Sequence, residues 1–235
     1  MKIDNIVPPL HPAGWPFVGI AASITLLLFF VSTALFLAGF VLTAFCLFFF
    51  RDPDRVTPVR SGLIVSPADG RVVAITSVVP DDEFGLGNAP RTRISIFLDV
   101  FNVHVNRIPA DGKIVAQRYR SGKFFNASFD KASVDNERMA LTIKLEGSHS
   151  RAGENIAVAQ IAGLIARRIV CDAKENQSVK AGDRFGIIRF GSRTDVYLPL
   201  GAHALVTVGQ TMIGGETVLA DLVSTEDARK GEVRP

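Results

Sequence analysis

Charge is almost absent from the first 50 residues, and cysteine, tryptophan and histidine are scarce throughout the 235-residue chain. The chain has one Trp, four His and two Cys, Cys46 and Cys171. Two distant cysteines cannot form a disulfide framework, so a reducing, cytoplasmic setting is expected. The 26 Lys and Arg residues nearly balance 23 Asp and Glu residues, a net charge of +3. This balance predicts no nucleic-acid partner.

The most prominent feature of the sequence is its apolar N-terminal segment. Phe17–Phe50 contains 34 residues without a charge, which as one helix would be about 51 Å long. A bilayer span needs only about 30 Å. The run therefore predicts either a strongly tilted helix or two shorter helices that break near Ser32-Thr33 or Gly39, and we favour a transmembrane or re-entrant hairpin.

The flanks of this segment predict its orientation. The run is too long for the apolar region of a cleaved signal peptide, and only Lys2 and Asp4 are charged before it. Positive residues follow it at Arg51, Arg55 and Arg60, which favours a cytoplasmic exit. We expect residues 1–50 to anchor the chain in the inner cell membrane with the next domain on the cytoplasmic face.

The rest of the chain, residues 51–235, has the pattern of a mostly β (α+β) domain. Short β-branched runs alternate with Gly- and Asp-containing turns, which predicts an antiparallel sheet. The half from about Gly153 to Leu222 resembles a barrel-sandwich architecture, and Phe124–Arg138 is predicted to be a surface loop. The predicted strands are Arg71–Val79, Arg93–Leu98, Gly112–Tyr119, Arg138–Leu145, Ile156–Ile161, Ile165–Val170, Arg184–Arg189, Thr194–Leu198, Ala204–Val208 and Thr217–Leu222.

His104 is the most distinctive of the four histidines. In "FLDVFNVHVNRIP" the period-2 apolar pattern is interrupted by Asn102, His104 and Asn106, which share one strand face. A half-buried strand with a hydrated face would give the same pattern. His11 and His149 lie in polar or interfacial turns and are predicted to be solvated.

Two further places in the sequence are candidates for chemistry. Asp69 lies at the turn of "LIVSPADGRVVAI", and Gly191-Ser192 lies between two predicted strands in "FGIIRFGSRTDVYLP". Each is ordinary when taken alone. As a nucleophile, Ser192 would need a general base and an acid to orient that base. No GxSxG, HExxH or CxxC motif occurs, so neither an α/β-hydrolase nor a metal site is predicted.

Seven sequence blocks, in order, resemble the phosphatidylserine decarboxylase family of the short, membrane-anchored type. They cover nearly the whole chain and read HPAGWPF, FFRDPDR, VSPADG, DVFNVHVNR, FFNASFDKASVDNER, QIAGLIARRIV and RFGSRTDVYLP. A colinear set of this kind is specific, although each block alone would be weak.

The resemblance implies a self-processing proenzyme that cuts its own Gly191–Ser192 bond. The products would be a β chain, 1–191, and an α chain, 192–235, held together as a heterodimer, with a higher oligomer left open. Ser192 would become a covalent pyruvoyl cofactor, which would form a Schiff base with phosphatidylserine in the membrane and release CO2 to give phosphatidylethanolamine. No metal is implied. Asp69 and His104 match the family's catalytic Asp and His, with Asp69 fixing the tautomer of His104.

Two departures from the longer family members are visible. Phe101 stands where they carry a second His, so any phosphate-binding role of that residue cannot be transferred. The cleavage site reads Phe190-Gly191-Ser192-Arg193 instead of Leu-Gly-Ser-Thr, with the Gly-Ser pair retained.

Alternative interpretations and lipid contacts stay open at the level of sequence. A non-catalytic, membrane-tethered β-sandwich adaptor would show the same anchor and strands, and an archaeal-type ether lipid would present the same serine head group. Basic residues that could attract anionic lipid are Arg51, Arg55, Arg189 and Arg193.

Overall fold

The computed structural model describes residues 9–122, 136–163, 168–189 and 191–232. The chain divides into two compact units, Met1–Asp54 and Arg55–Pro235. Most of the predicted loop Phe124–Arg138 lies outside the described residues, as do the first residues of the predicted strand Ile165–Val170 and the residue just before Gly191.

The N-terminal unit is a pair of apolar helices, which is the favoured one of the two arrangements that the uncharged run allows. Helix α1 is Trp15–Phe29 and helix α2 is Thr33–Phe49. The Thr25 and Thr43 hydroxyl oxygens are 3.0 Å apart across the pair. A Cβ at Gly39 would lie 2.7 Å from the Thr25 hydroxyl oxygen, so glycine allows this close approach.

The two ends of the hairpin are joined by backbone hydrogen bonds. Asp52 N donates to Pro9 O (2.7 Å) and His11 N donates to Phe50 O (2.9 Å). The prediction that His11 is solvated is wrong, because only 7% of it is exposed. Its ring Nδ1 accepts a hydrogen bond from Ala13 N at the start of a 3₁₀ turn, and this contact holds the imidazole against the chain.

Much of the apolar surface of this hairpin is exposed. Among the described helices, Pro12–Phe29 is long and apolar enough to cross a bilayer, and Thr33–Phe49 is shorter. Exposed Leu and Phe side chains on this scale are typical of a segment that contacts lipid. The N-terminal helix therefore points to association with a membrane.

The second unit is built from antiparallel strands, which confirms the predicted mostly-β class. An eight-stranded sheet has the order β12-β2-β3-β11-β7-β6-β5-β9, a three-stranded sheet β4-β10-β8, and a two-stranded sheet β1-β13. The strands are β1 Leu63–Val65, β2 Gly70–Val78, β3 Arg91–Leu98, β4 Val105–Arg107, β5 Gly112–Arg120, β6 Arg138–Leu145, β7 Asn155–Ala162, β8 Ile169–Cys171, β9 Ser178–Val179, β10 Arg184–Ile188, β11 Ser192–Tyr197, β12 Thr211–Met212 and β13 Val218–Asp221.

One predicted strand is wrong. Ala204–Val208 is irregular backbone, held by a hydrogen bond from Leu205 N to Leu219 O of 2.8 Å. Ala204 and Val206 are nevertheless buried in the main core, which explains the alternating pattern that suggested a strand. Four short strands, β1, β4, β9 and β12, were missed because two or three residues are too few to show a period.

Strand β11 lies at the centre of the large sheet and is buried on both faces. Ser192 and Val196 point to the face that carries the main core, and Arg193 and Tyr197 point to the opposite face. Ser192 is therefore on the side of the large sheet that packs into the domain interior.

Arg193 and Asp195 form a buried ion pair on that opposite face. Arg193 Nε donates to Asp195 Oδ1 (2.6 Å) and its terminal nitrogen donates to Oδ2 (2.8 Å). The side chains are 1% and 0% exposed, and Arg93 Nε lies 3.9 Å from the same carboxylate. Arg193 is thus committed to a buried ion pair, which corrects the expectation that it attracts anionic lipid.

Replacing Asp195 by Asn is expected to destabilise the domain strongly. The substitution removes the carboxylate between two buried guanidinium groups, which typically costs about 3 to 5 kcal/mol. For a chain of this size Tm should fall by roughly 10 °C in a thermal melt. The control is Glu226→Gln, which breaks the exposed Arg229–Glu226 pair and should change the unfolding free energy by less than about 1 kcal/mol. Equal effects of both variants would contradict this interpretation.

Candidate active site

Ser192 begins β11 and is fully buried between two neighbouring strands. Its cross-strand partners are Leu98 of β3 and Ala162 of β7. Its hydroxyl oxygen has no hydrogen-bond partner among the residues that the structure describes. Buried hydroxyls are normally satisfied, so an unsatisfied one calls for an explanation, of which a catalytic role is one. The buried hydroxyls of Ser95 and Thr194 share this property, so Ser192 is a candidate nucleophile only together with its position directly after Gly191.

Gly191 precedes this serine with a left-handed backbone, φ +61°. No described atom lies within 4 Å of the position that a Cβ would occupy there. A side chain at this position would be strained in conformation. Glycine also leaves its own carbonyl carbon open to approach by a nucleophile.

His104 is buried and is held by a tight turn that follows β3. Phe101 N donates to Asp99 Oδ1 (2.8 Å), and Asp99 N donates to Asn102 Oδ1 (2.9 Å). His104 Nδ1 lies 3.0 Å from the Asn102 carbonyl oxygen. Because a carbonyl can only accept, Nδ1 carries the proton and Nε2 is the nitrogen with the lone pair. The backbone of Asn102 thus contributes to the tautomer that the sequence interpretation assigned to Asp69 alone.

The topology brings His104 and Ser192 to the same end of the domain. Ile188 N, at the end of β10, donates to His104 O (3.3 Å), and the chain enters β11 at Ser192 shortly afterwards. Leu98, the partner of Ser192, ends β3, and the turn after it leads directly to His104. The connection from β10 to β11 and the connection from β3 to β4 are therefore both short.

Asp69 is held by two hydrogen-bond donors immediately before β2. Its Oδ2 accepts from Arg55 (2.7 Å) and its Oδ1 from Gly214 N (2.8 Å). Arg107 N of β4 donates to Pro67 O (2.8 Å), which fixes this turn against the strand that follows His104. Sequence reasoning did not find Arg55 as a partner, because the two residues are 14 positions apart and no local pattern joins them.

Gly70→Ala should disturb this turn severely. A Cβ at Gly70 would collide with the Phe97 carbonyl oxygen, and the glycine has φ +153°. Backbone atoms cannot move aside as the tip of a side chain can. We therefore expect the free energy of unfolding to fall by about 3 kcal/mol or more, and Asp69 to be displaced. The control is Gly85→Ala, at φ +61° with open space around it, which should cost only about 1 to 2 kcal/mol. Thermal melts that rank Gly85→Ala as equally damaging would contradict this prediction.

Two other side chains that could act as nucleophiles, Cys171 and Tyr197, are poorly suited to reaction. Burial raises the pKa of the Cys171 thiol to about 11, so it is protonated at neutral pH. Burial and the nearby Asp195 raise the pKa of Tyr197 to about 12. Within the described ranges, no group of three His, Cys, Asp or Glu side chains is placed to hold a metal ion.

Sequence reasoning also missed Gln160. Its Nε2 donates to Asn106 Oδ1 (2.8 Å), which links β7 of the large sheet to β4 of the small one. The sequence feature that could have identified Gln160 is a single amide in the run "NIAVAQIAG", because a fully buried strand is normally apolar throughout.

The fold is that of a β protein with an apolar N-terminal helix pair. Its candidate site holds groups of the kind that acyl-transfer chemistry uses: a buried serine after an open glycine, and a buried histidine with an accepting ring nitrogen. The sequence model of the family described as phosphatidylserine decarboxylase matches residues 42–220. This chain belongs to the phosphatidylserine decarboxylase family.

Similar curated proteins carry the name phosphatidylserine decarboxylase proenzyme. The protein of Paramagnetospirillum magneticum is 58% identical over 227 residues, 96% of this chain and 92% of that protein. The protein of Cereibacter sphaeroides is 56% identical over 232 residues, 99% of this chain and 98% of that protein. The protein of Ruegeria pomeroyi is 57% identical over 219 residues, 93% of this chain and 98% of that protein.

Proposed function

We propose that this chain decarboxylates phosphatidylserine to phosphatidylethanolamine after cutting its own Gly191–Ser192 bond. The observation that carries the proposal is the buried Ser192 hydroxyl, which has no hydrogen-bond partner among the described residues and follows the open Gly191. Membership of the family and the proenzyme names of its relatives support the same reaction.

The first step would be an N→O acyl shift at Gly191. His104 Nε2 takes the Ser192 hydroxyl proton, and Ser192 Oγ forms a bond to the Gly191 carbonyl carbon. The C–N bond then breaks, and its nitrogen takes the proton back from His104. Asp69, already bound to Arg55, would stabilise the charged imidazole during this transfer.

The second step would separate the two chains. A base removes the proton from the Ser192 Cα, the Cβ–Oγ bond breaks, and Gly191 leaves as the carboxylate that ends the β chain, 1–191. Position 192 is now unsaturated. Addition of water and loss of ammonia leave a ketone at the start of the α chain, 192–235.

The residues present fit a pyruvoyl group at position 192, because the serine that would give rise to it is buried and its hydroxyl is not engaged. When present, this group would supply an electron sink for the loss of CO2, in place of pyridoxal phosphate. His104 would then hold the proton that is returned to the substrate carbon.

The sheet would keep the two chains together after the cut. Strand β11 pairs along its whole length with β3 on one side and β7 on the other, and both partners belong to the β chain. Dissociation would expose two unpaired strand edges and a buried core, so a stable α/β heterodimer is expected.

The N-terminal hairpin suits a substrate that cannot leave the membrane. A phosphatidylserine head group is tied to acyl chains, so the enzyme must work at the bilayer surface. We propose that residues 1–50 anchor the domain of residues 51–235 to the inner membrane on its cytoplasmic face, an orientation that the positive residues Arg51, Arg55 and Arg60 after the apolar run favour.

The test is the composition of the purified full-length protein. Denaturing gels and intact mass should give two chains, with the smaller one starting at position 192 with a blocked N-terminus. Cyanoborohydride with an amine should add mass to that chain by trapping its ketone. A single 25.4 kDa species with an unmodified serine would overturn the proposal and favour the membrane-tethered adaptor. Diacyl and ether-linked phosphatidylserine, assayed side by side, would decide which lipid is used.

A further inference from the structure

Three buried polar side chains next to Ser192 have hydrogen-bonding atoms that no described residue satisfies. They are Asn106, Gln160 and Thr194, each 0% exposed, and we call them the polar floor. Within the described ranges the atoms that lack a partner are Asn106 Nδ2, Gln160 Oε1 and Thr194 Oγ1. Native interiors rarely leave such groups unsatisfied, so a cluster of them indicates a place for a polar ligand or water.

The polar floor lies next to Ser192 and His104 along the strands that carry them. Thr194 is two residues after Ser192 on the same face of β11, and Gln160 is its cross-strand partner on β7. Asn106 is two residues after His104 and accepts from Gln160 Nε2 at 2.8 Å. The floor therefore spans both sheets, two residues along the chain from each of the proposed reacting groups.

The free hydrogen-bonding groups of the floor have mixed character. Asn106 offers an N–H donor and Gln160 an oxygen acceptor. If both amides are turned over, Gln160 offers the donor and Asn106 the acceptor, so the pair always presents one of each. The Thr194 hydroxyl can act as either. Apolar groups would leave all three unsatisfied, whereas a carboxylate close to an amine would satisfy them.

We propose that the polar floor binds the carboxylate of the serine head group and so distinguishes phosphatidylserine from its product. This inference rests on the proposed function. The carboxylate would accept from the amide N–H and from Thr194, while the substrate amine, held near Ser192, would donate to the free amide oxygen. Loss of CO2 removes the ligand of the floor, which would weaken binding of phosphatidylethanolamine and favour its release.

The test compares two short-chain lipids that differ only in the carboxylate, dihexanoyl phosphatidylserine and dihexanoyl phosphatidylethanolamine. The mature enzyme is incubated with each lipid in the presence of cyanoborohydride, which traps the lipid on the ketone of the small chain. Intact mass of that chain then gives the lipid concentration at which half of it is trapped. Adducts that have kept CO2 and adducts that have lost it are both counted. Hydrogen bonds to a charged group predict a preference of about 10- to 100-fold for phosphatidylserine. The KM for phosphatidylserine should be lower, by a similar factor, than the phosphatidylethanolamine concentration that gives half-maximal trapping.

Asn106→Asp is the decisive variant. The new carboxylate can only accept, so Gln160 Nε2 must donate to it, and the pair then presents acceptors only. The preference for phosphatidylserine should fall by at least about tenfold, with trapping of phosphatidylethanolamine nearly unchanged.

Thr194→Val keeps the side-chain volume, removes one donor, and should lower the preference about threefold to tenfold. It serves as the test if Asn106→Asp does not mature.

The control variant is Thr142→Val. Thr142 is also buried on a central strand, but its hydroxyl donates to Phe84 O (2.8 Å) on the opposite face of the sheet. The Thr142→Val variant should prefer phosphatidylserine over phosphatidylethanolamine by the same factor as the wild type. A wild-type enzyme without preference, or floor variants that retain it, would overturn the inference and leave the floor as a site for structural water. A wild-type small chain that hydrazine and both lipids fail to modify would instead overturn the proposed function.

Discussion

Ser192→Ala is expected to remain a single uncleaved chain with no decarboxylase activity. Alanine has no oxygen to attack Gly191 and cannot be converted to a ketone. The substitution should preserve the fold, because the Ser192 hydroxyl has no hydrogen-bond partner among the described residues that its removal would leave unsatisfied. Denaturing gels measure the cleavage, and a thermal melt measures the stability.

Ser95→Ala is the matched control for this variant. Ser95 is a fully buried serine on β3, its hydroxyl also has no partner in the described part of the chain, and it faces the other side of the sheet. It should mature and turn over as the wild type does. Cleavage of Ser192→Ala at the same position would exclude the Ser192 hydroxyl as the nucleophile.

His104→Ala should be the second most damaging change. Loss of a general base typically slows a reaction by about 10²- to 10⁴-fold, so freshly purified variant should be almost entirely uncleaved. Slow appearance of the two chains over days, or rescue by added imidazole in the space left by the ring, would identify the missing function as proton transfer. Time courses on denaturing gels measure both.

His149→Ala is the control for loss of an imidazole. His149 lies in a partly exposed turn, where its Nδ1 accepts from Arg151 N (3.3 Å), and its replacement should leave cleavage unchanged. If His104→Ala matures at the wild-type rate, another group takes the proton from Ser192, and Asp69 would be the next candidate to test.

Several features of this protein could be predicted from local patterns. The uncharged run was long enough for two helices, and of the two predicted breaks, near Ser32-Thr33 or Gly39, the first separates α1 from α2, whereas Gly39 lies inside α2. Alternating β-branched runs predicted most of the long strands to within two residues at each end. The ordered set of sequence blocks identified the family. Such features depend on a residue and its near neighbours, which the sequence contains directly.

The surroundings of the proposed site depended on contacts between distant parts of the chain. Arg55 binds Asp69, and Gln160 reaches from the large sheet to Asn106 of the small one, because the packing of distant segments brings these positions together. Arg193 looks like a surface cation beside the cleavage site but is buried in an ion pair. Burial and partner choice result from how sheets pack, and packing involves residues far apart in sequence. Local patterns therefore identified the candidate residues, while the packed fold determined which side chains surround them and which polar atoms it leaves without a partner in the described part of the chain.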